Sequence, residues 1–158
     1  MKGIYLASFK AYHKDYNIVY QDINNQRDLN GCMLSIDLKD YDFIIATPPC
    51  NYYSRANYRR EQSLYSQKTK HLLPQILKKL RDLKKPYIVE NVINYSLMKE
   101  FFDNDFVYQI GRHTYWTNIP FNFNKKQKTE NIQLLSFKDR QGSENVHEVI
   151  EYWLKQII

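Results

Sequence analysis

Cysteine is scarce in this chain of 158 residues, where only Cys32 and Cys50 occur. Two thiols cannot build a disulfide framework, so a reducing, cytoplasmic setting is expected. The four histidines, His13, His71, His113 and His147, are scattered without metal-ligand spacing, which argues against a structural metal. Long apolar runs are missing too. None approaches the roughly 18 residues of a membrane span, and the first, residues 3–8, is too short for a signal peptide. Repeats, linkers and low-complexity blocks are absent, and the length suits one domain, 1–158, with a full core.

What is present is positive charge and aromatic surface. Lys and Arg number 23 against 17 Asp and Glu, a net charge of +6. That balance favours an anionic partner, nucleic acid being the commonest, although many small basic proteins bind none. Tyrosine is abundant at 14 residues, and several stand among charges in the run Asn51-Tyr52-Tyr53-Ser54-Arg55-Ala56-Asn57-Tyr58-Arg59-Arg60. Such rings can stack on bases while the arginines neutralise phosphates. The plainer alternative is a solvated loop.

Four apolar runs, 3–8, 17–22, 41–47 and 87–92, read as strands. Their near-continuous β-branched character is that of parallel strands covered on both faces. Leu72, Leu73, Ile76, Leu77, Leu80 and Leu83 recur at helical spacing, with Pro74 in the first turn. A second stripe, Val146, Val149, Ile150, Trp153, Leu154 and Ile157, predicts a final helix, with Asn145 and Glu148 as a capping pair. Residues 106–123 read as two short strands carrying Arg112. Strand, helix and strand in this order predict a doubly wound, mostly parallel α/β sheet. Ligands in such sheets bind beyond the carboxyl ends of the strands, where Asp22, Cys50 and Glu90 fall.

Pro48 and Pro49 lack N–H groups and stiffen the turn that delivers Cys50. A thiol there becomes a nucleophile if cations favour its thiolate, with Arg55, Arg59, Arg60 and Arg112 as candidates. An inert buried cysteine is the alternative. Glu90, ending an apolar strand, becomes a proton donor if burial raises its carboxyl, and is otherwise a surface or salt-bridged acid.

Pro48-Pro49-Cys50 and Glu90-Asn91-Val92, in this order and with a helix between, resemble the paired motifs of the DNA cytosine-5 methyltransferases. The resemblance implies a Rossmann-like sheet of the class I methyltransferase type. It also implies that Cys50 attacks C6 of a cytosine in DNA while Glu90 holds or protonates N3, and that S-adenosylmethionine donates a methyl group to C5. A basic, aromatic loop suits extrusion of the base. Gly111-Arg112-His113-Thr114-Tyr115 resembles the family's arginine motif, with Arg112 placed beside the base. Asp22 resembles the acid on the cofactor ribose. Pro48, Ser143 and Asn145 are the further cofactor candidates, the last two within a segment similar to the family's late Gly-Asn-Ser-Val. Asn51, Ser54, Arg55, Arg59 and Asn91 are the candidates for substrate contact.

The chain departs from the family in its cofactor half. Residues 5–12, where a glycine-rich turn is expected, contain no glycine, and Cys32-Met33 stands where an acid toward the adenine is expected. Arg112 and Gly142 lie 30 residues apart, too close to hold a large target-recognition region. The leading expectation is a minimal, phage-like cytosine-5 methyltransferase of the restriction-modification kind. The alternative from another class is a methyltransferase-derived factor that binds nucleic acid or a protein, such as a host-defence antagonist, without the cofactor. A third reading keeps Cys50 and Glu90 but acts on a pyrimidine nucleotide or with another one-carbon donor.

Overall fold

The computed structural model describes residues 1–6, 15–23, 28–54, 56–92, 101, 105–110, 112–121 and 143–158, with side chains from 146 onward in the last segment. Seven strands run as β1 (Gly3–Leu6), β2 (Ile18–Asp22), β3 (Leu29–Asn30), β4 (Phe43–Ala46), β5 (Tyr87–Asn91), β6 (Phe106–Ile110) and β7 (His113–Thr117). They form one sheet in the order β3-β2-β1-β4-β5-β7-β6. The pairs β1–β2, β2–β3, β1–β4 and β4–β5 are parallel, while β7 is antiparallel to both β5 and β6. Among the described residues three helices accompany the sheet: α1 (Leu64–Thr69), α2 (Leu72–Leu83) and α3 (Ser143–Ile157).

The apolar strands are buried on both faces because a helix covers each. Side chains alternate across a strand, so Ile44, Ala46 and Val89 pack with Leu73, Ile76, Leu77 and Leu80 of α2. Phe43, Ile45 and Ile88 point the other way, onto Val149, Ile150, Trp153 and Leu154 of α3. Gly3 is required where it stands, since a Cβ there would overlap the ring of Phe43, its register partner. That ring is itself held edge-on by Trp153 at 6.3 Å. Pro74 occupies the first turn of α2, where a missing N–H forfeits no helical bond.

The expected strands are present, β2, β4 and β5 slightly shorter than read, while residues 7–8 of the first lie outside the described residues. The capping expectation at Asn145 is corrected: α3 begins at Ser143, which places Asn145 inside its first turn. β3 and α1 had no periodic signal. β3 is two residues long, and α1 buries only Ser66, so it carries no apolar stripe. Among the described residues no helix is long and apolar enough to cross a membrane.

The chain runs from β1 toward β2 on one side and from β4 toward β5 on the other. The crevice beyond the carboxyl ends of β1 and β4 is therefore the topological switch point of the sheet.

Candidate active site

β4 pairs on both sides up to Ala46, and the Thr47 N–H still donates to the Leu6 carbonyl at 2.9 Å. Two prolines then end the ladder. The Pro48 carbonyl accepts a 3.0 Å hydrogen bond from the buried Asn91 Nδ2, so the end of β5 tethers the turn that follows β4. The Cys50 carbonyl accepts from the N–H groups of Tyr53 (3.0 Å) and Ser54 (2.8 Å), closing the turn on its other side. The turn that carries the half-buried Cys50 is thus held from two directions.

Burial pushes the Cys50 thiol above its ordinary range, and the charge of Glu90 pushes it further, with a smaller opposing effect from a backbone hydrogen bond. This corrects the expectation that arginines favour the thiolate. Arg60 is occupied by backbone, Nε donating to the Asn57 carbonyl (2.9 Å) and Nη2 to that of Ser54 (3.0 Å). Arg59 and Arg112 are exposed, and Arg55 lies outside the described residues.

Glu90 is the penultimate residue of β5 and only 3% exposed. Its Oε1 lies 2.6 Å from Nδ1 of His113, an equally buried side chain on β7. Tyr5 lies in the same electrostatic neighbourhood: burial first, and then the Glu90 charge, raise its phenol well beyond the usual range. In the Gly-Arg-His-Thr-Tyr segment the side chain on the carboxyl is therefore His113. Arg112, expected beside the base, stands exposed in the turn between β6 and β7. His113 escaped the sequence reading because its importance depends on β7 pairing with β5. Its signal was strand alternation, which puts His113, Tyr115 and Thr117 on one face.

The loop after Cys50 is a braced platform. Asn57 Nδ2 donates to the Asn51 carbonyl (2.6 Å) and to Ser66 Oγ (2.9 Å). The Tyr52 hydroxyl donates to Glu61 (2.7 Å), which also accepts from Gln67 (3.0 Å). Tyr52, Tyr53, Phe101 and Trp116 then form a chain of edge-on rings reaching β7. Of the substrate-contact candidates, Asn51 and Arg59 are exposed, whereas Ser54 is half-buried with its carbonyl engaged by Arg60. The platform presents Tyr58, Leu64 and Tyr65 at 88%, 79% and 55% exposure.

The cofactor candidates divide. Asp22 ends β2 half-buried, followed by Ile23 at 66% exposure. A carboxylate beside an open apolar side chain fits a ribose diol and a purine ring. Pro48 is buried, with its carbonyl on Asn91. Ser143 and Asn145 lie in the first turn of α3, but their side chains, like residues 7–14, fall outside the described residues.

A sheet in this order, with β7 antiparallel and helices on both faces, defines a Rossmann-like α/β fold of the methyltransferase class. The chain belongs to the C-5 cytosine-specific DNA methylase family, whose model matches residues 4–101. That match includes the turn bearing Cys50 and the strand bearing Glu90, and ends before β6 and β7. Among curated proteins none matches the chain. Family membership supports methyl transfer to cytosine as the general chemistry.

Proposed function

We propose that the chain methylates C5 of cytosine in DNA through a covalent bond between Cys50 Sγ and C6 of the base. The observation that carries this reading is the convergence of two groups at one sheet edge. The Cys50 thiol is fixed on a rigid turn, and it senses the charge of a buried carboxyl, Glu90, from the neighbouring strand. Attack by Sγ on C6 requires the thiol to give up its proton; the Glu90 carboxylate, whose charge acts on that thiol, can take it and pass it to N3 as electron density moves there. C5 then carries enamine character and becomes a carbon nucleophile. Loss of the C5 proton to water and return of the N3 proton to Glu90 accompany the expulsion of Sγ, which regenerates the thiolate. S-adenosylmethionine, with Asp22 on its ribose, would supply the electrophilic methyl group.

The basic, aromatic platform of residues 51–65 suits a strand from which one base has been extruded, with Tyr58 available for stacking and Arg59 for phosphate. Affinity for DNA should then fall steeply with salt.

The deciding experiment pairs calorimetric titration of S-adenosylmethionine with trapping on DNA containing 5-fluorocytosine. A covalent adduct that disappears in Cys50→Ser supports the reading. Absence of both cofactor heat and adduct sinks it, and salt-dependent DNA binding would then favour the non-catalytic alternative.

A further inference from the structure

We propose that this site takes its cytosine from single-stranded DNA, whose unpaired bases stack on Tyr58 and Tyr65 as the strand leads to Cys50. The proposal rests on the cytosine reading above and names the form of DNA that the site accepts. Both rings stand open to solvent, with the exposed Leu64 next to Tyr65 in the chain. A hydrogen bond from Asn57 Nδ2 to Ser66 Oγ joins the residue before Tyr58 to the residue after Tyr65, so the two rings rise from one patch. The same Nδ2 donates to the Asn51 carbonyl, which ties that patch to the residue after Cys50. A strand lying on the rings is thereby led to the thiol.

The patch is rigid, so the rings are held ready before a strand arrives. Gln67 Nε2 donates to the Arg60 carbonyl at 3.0 Å, and the N–H groups of Gln62 and Ser63 donate to the Arg59 carbonyl. Ser63 then caps α1 by accepting from the Ser66 N–H. Charge agrees with this use. Arg59, Lys68 and Lys70 are exposed, while the acid among them, Glu61, is engaged by Tyr52 and Gln67. Phosphates therefore meet cations while bases meet rings, the combination that holds single strands.

Duplex DNA suits this surface less well. Paired bases hide their faces against one another, and extrusion of one cytosine opens only the slot it leaves. Two open rings find partners where several bases are unpaired. Extrusion also costs unstacking and unpairing, a cost that is least when the base is already single-stranded. Arg112 and Gly142 lie 30 residues apart, which leaves no room between them for a large region to grip a duplex.

The test uses one 5-fluorocytosine sequence as a single strand, as a perfect duplex and as a duplex mismatched at that cytosine. Binding is read by fluorescence anisotropy, and adduct formation is read with S-adenosylmethionine present. The single strand should bind and react about 10-fold or more better than the perfect duplex, with the mismatched duplex between them. Tyr58→Ala and Tyr65→Ala should each weaken single-strand binding about 5- to 100-fold, whereas Tyr58→Phe, which keeps the ring, should stay within about twofold of wild type. If Tyr65→Ala melts early, Tyr58→Ala decides, since Tyr58 is the more exposed of the two. Phe106→Ala is the control. Its ring is also exposed, but Phe106 lies opposite Thr117, which lies opposite Ile88 near the start of β5, so binding should not change. A perfect duplex that binds and reacts as well as the single strand would overturn the proposal while the cytosine reading stands. So would alanine variants that hold the single strand as wild type does. If no form of the DNA gives the adduct, the cytosine reading fails and this proposal falls with it.

Discussion

Replacing Asn91 by leucine should separate the stability of the fold from the geometry of its reactive turn. Asn91 is 1% exposed, and its Nδ2 makes the 3.0 Å bond to the Pro48 carbonyl. Among the described residues its Oδ1, also buried, accepts no hydrogen bond. Leucine has nearly the same volume and removes both atoms at once. Loss of the bond and desolvation of the Pro48 carbonyl cost about 1–3 kcal/mol. Removal of a buried, unsatisfied oxygen returns roughly the same amount. The net change is therefore within about 1 kcal/mol, a Tm shift of no more than about 4 °C for a chain of this size. The chemistry should not be spared. Without its tether the turn relaxes, and a displacement near 1 Å at a reacting atom costs on the order of 100-fold in rate. Asn91→Leu should therefore melt almost normally and form the 5-fluorocytosine adduct about 10- to 100-fold more slowly. Asn91→Asp, which sets a carboxylate against the Pro48 carbonyl, should be the less stable of the two. Thermal unfolding and adduct kinetics on the same preparations decide the matter. An adduct rate within about twofold of wild type, or a melt lowered by more than about 10 °C, would refute the reasoning.

Other perturbations give equally direct readings. Glu90→Gln removes a charge that holds the Cys50 thiol up, so the pH profile of Cys50 alkylation should move to lower pH; an unmoved profile would show that the carboxyl does not act on the thiol. Gly3→Ala should lower stability by about 1–3 kcal/mol in denaturant unfolding, because Phe43 is pinned by Trp153 and cannot make room. Arg81→Ala should cost about 1–3 kcal/mol, since it takes from Asp105, whose side chain is only 3% exposed, a bond pair at 2.9 and 2.6 Å and leaves it the Tyr87 hydroxyl. Tyr5 and Tyr87 keep their protons in the fold beyond the ordinary tyrosine range. Stability should therefore hold below about pH 10 and fall as pH rises past it, which pH-resolved melting would reveal.

The amino-acid sequence by itself determined the layered α/β plan, because continuous apolar strands and two amphipathic stripes have few other ways to bury their surfaces. It also marked the turn bearing Cys50 and the strand bearing Glu90, since two prolines and an acid closing an apolar run are local signals. Tertiary structure decided what surrounds those groups. That Asn91 ties down Pro48 follows from β5 lying beside β4, and that His113 meets Glu90 follows from β7 pairing antiparallel with β5. The protonation of Cys50 was equally illegible along the chain. Counting nearby arginines in sequence suggested a stabilised thiolate, but the Arg60 side chain is spent on backbone carbonyls while burial and a carboxylate act on the sulfur. Electrostatics depends on distance and desolvation, and only the folded chain sets either.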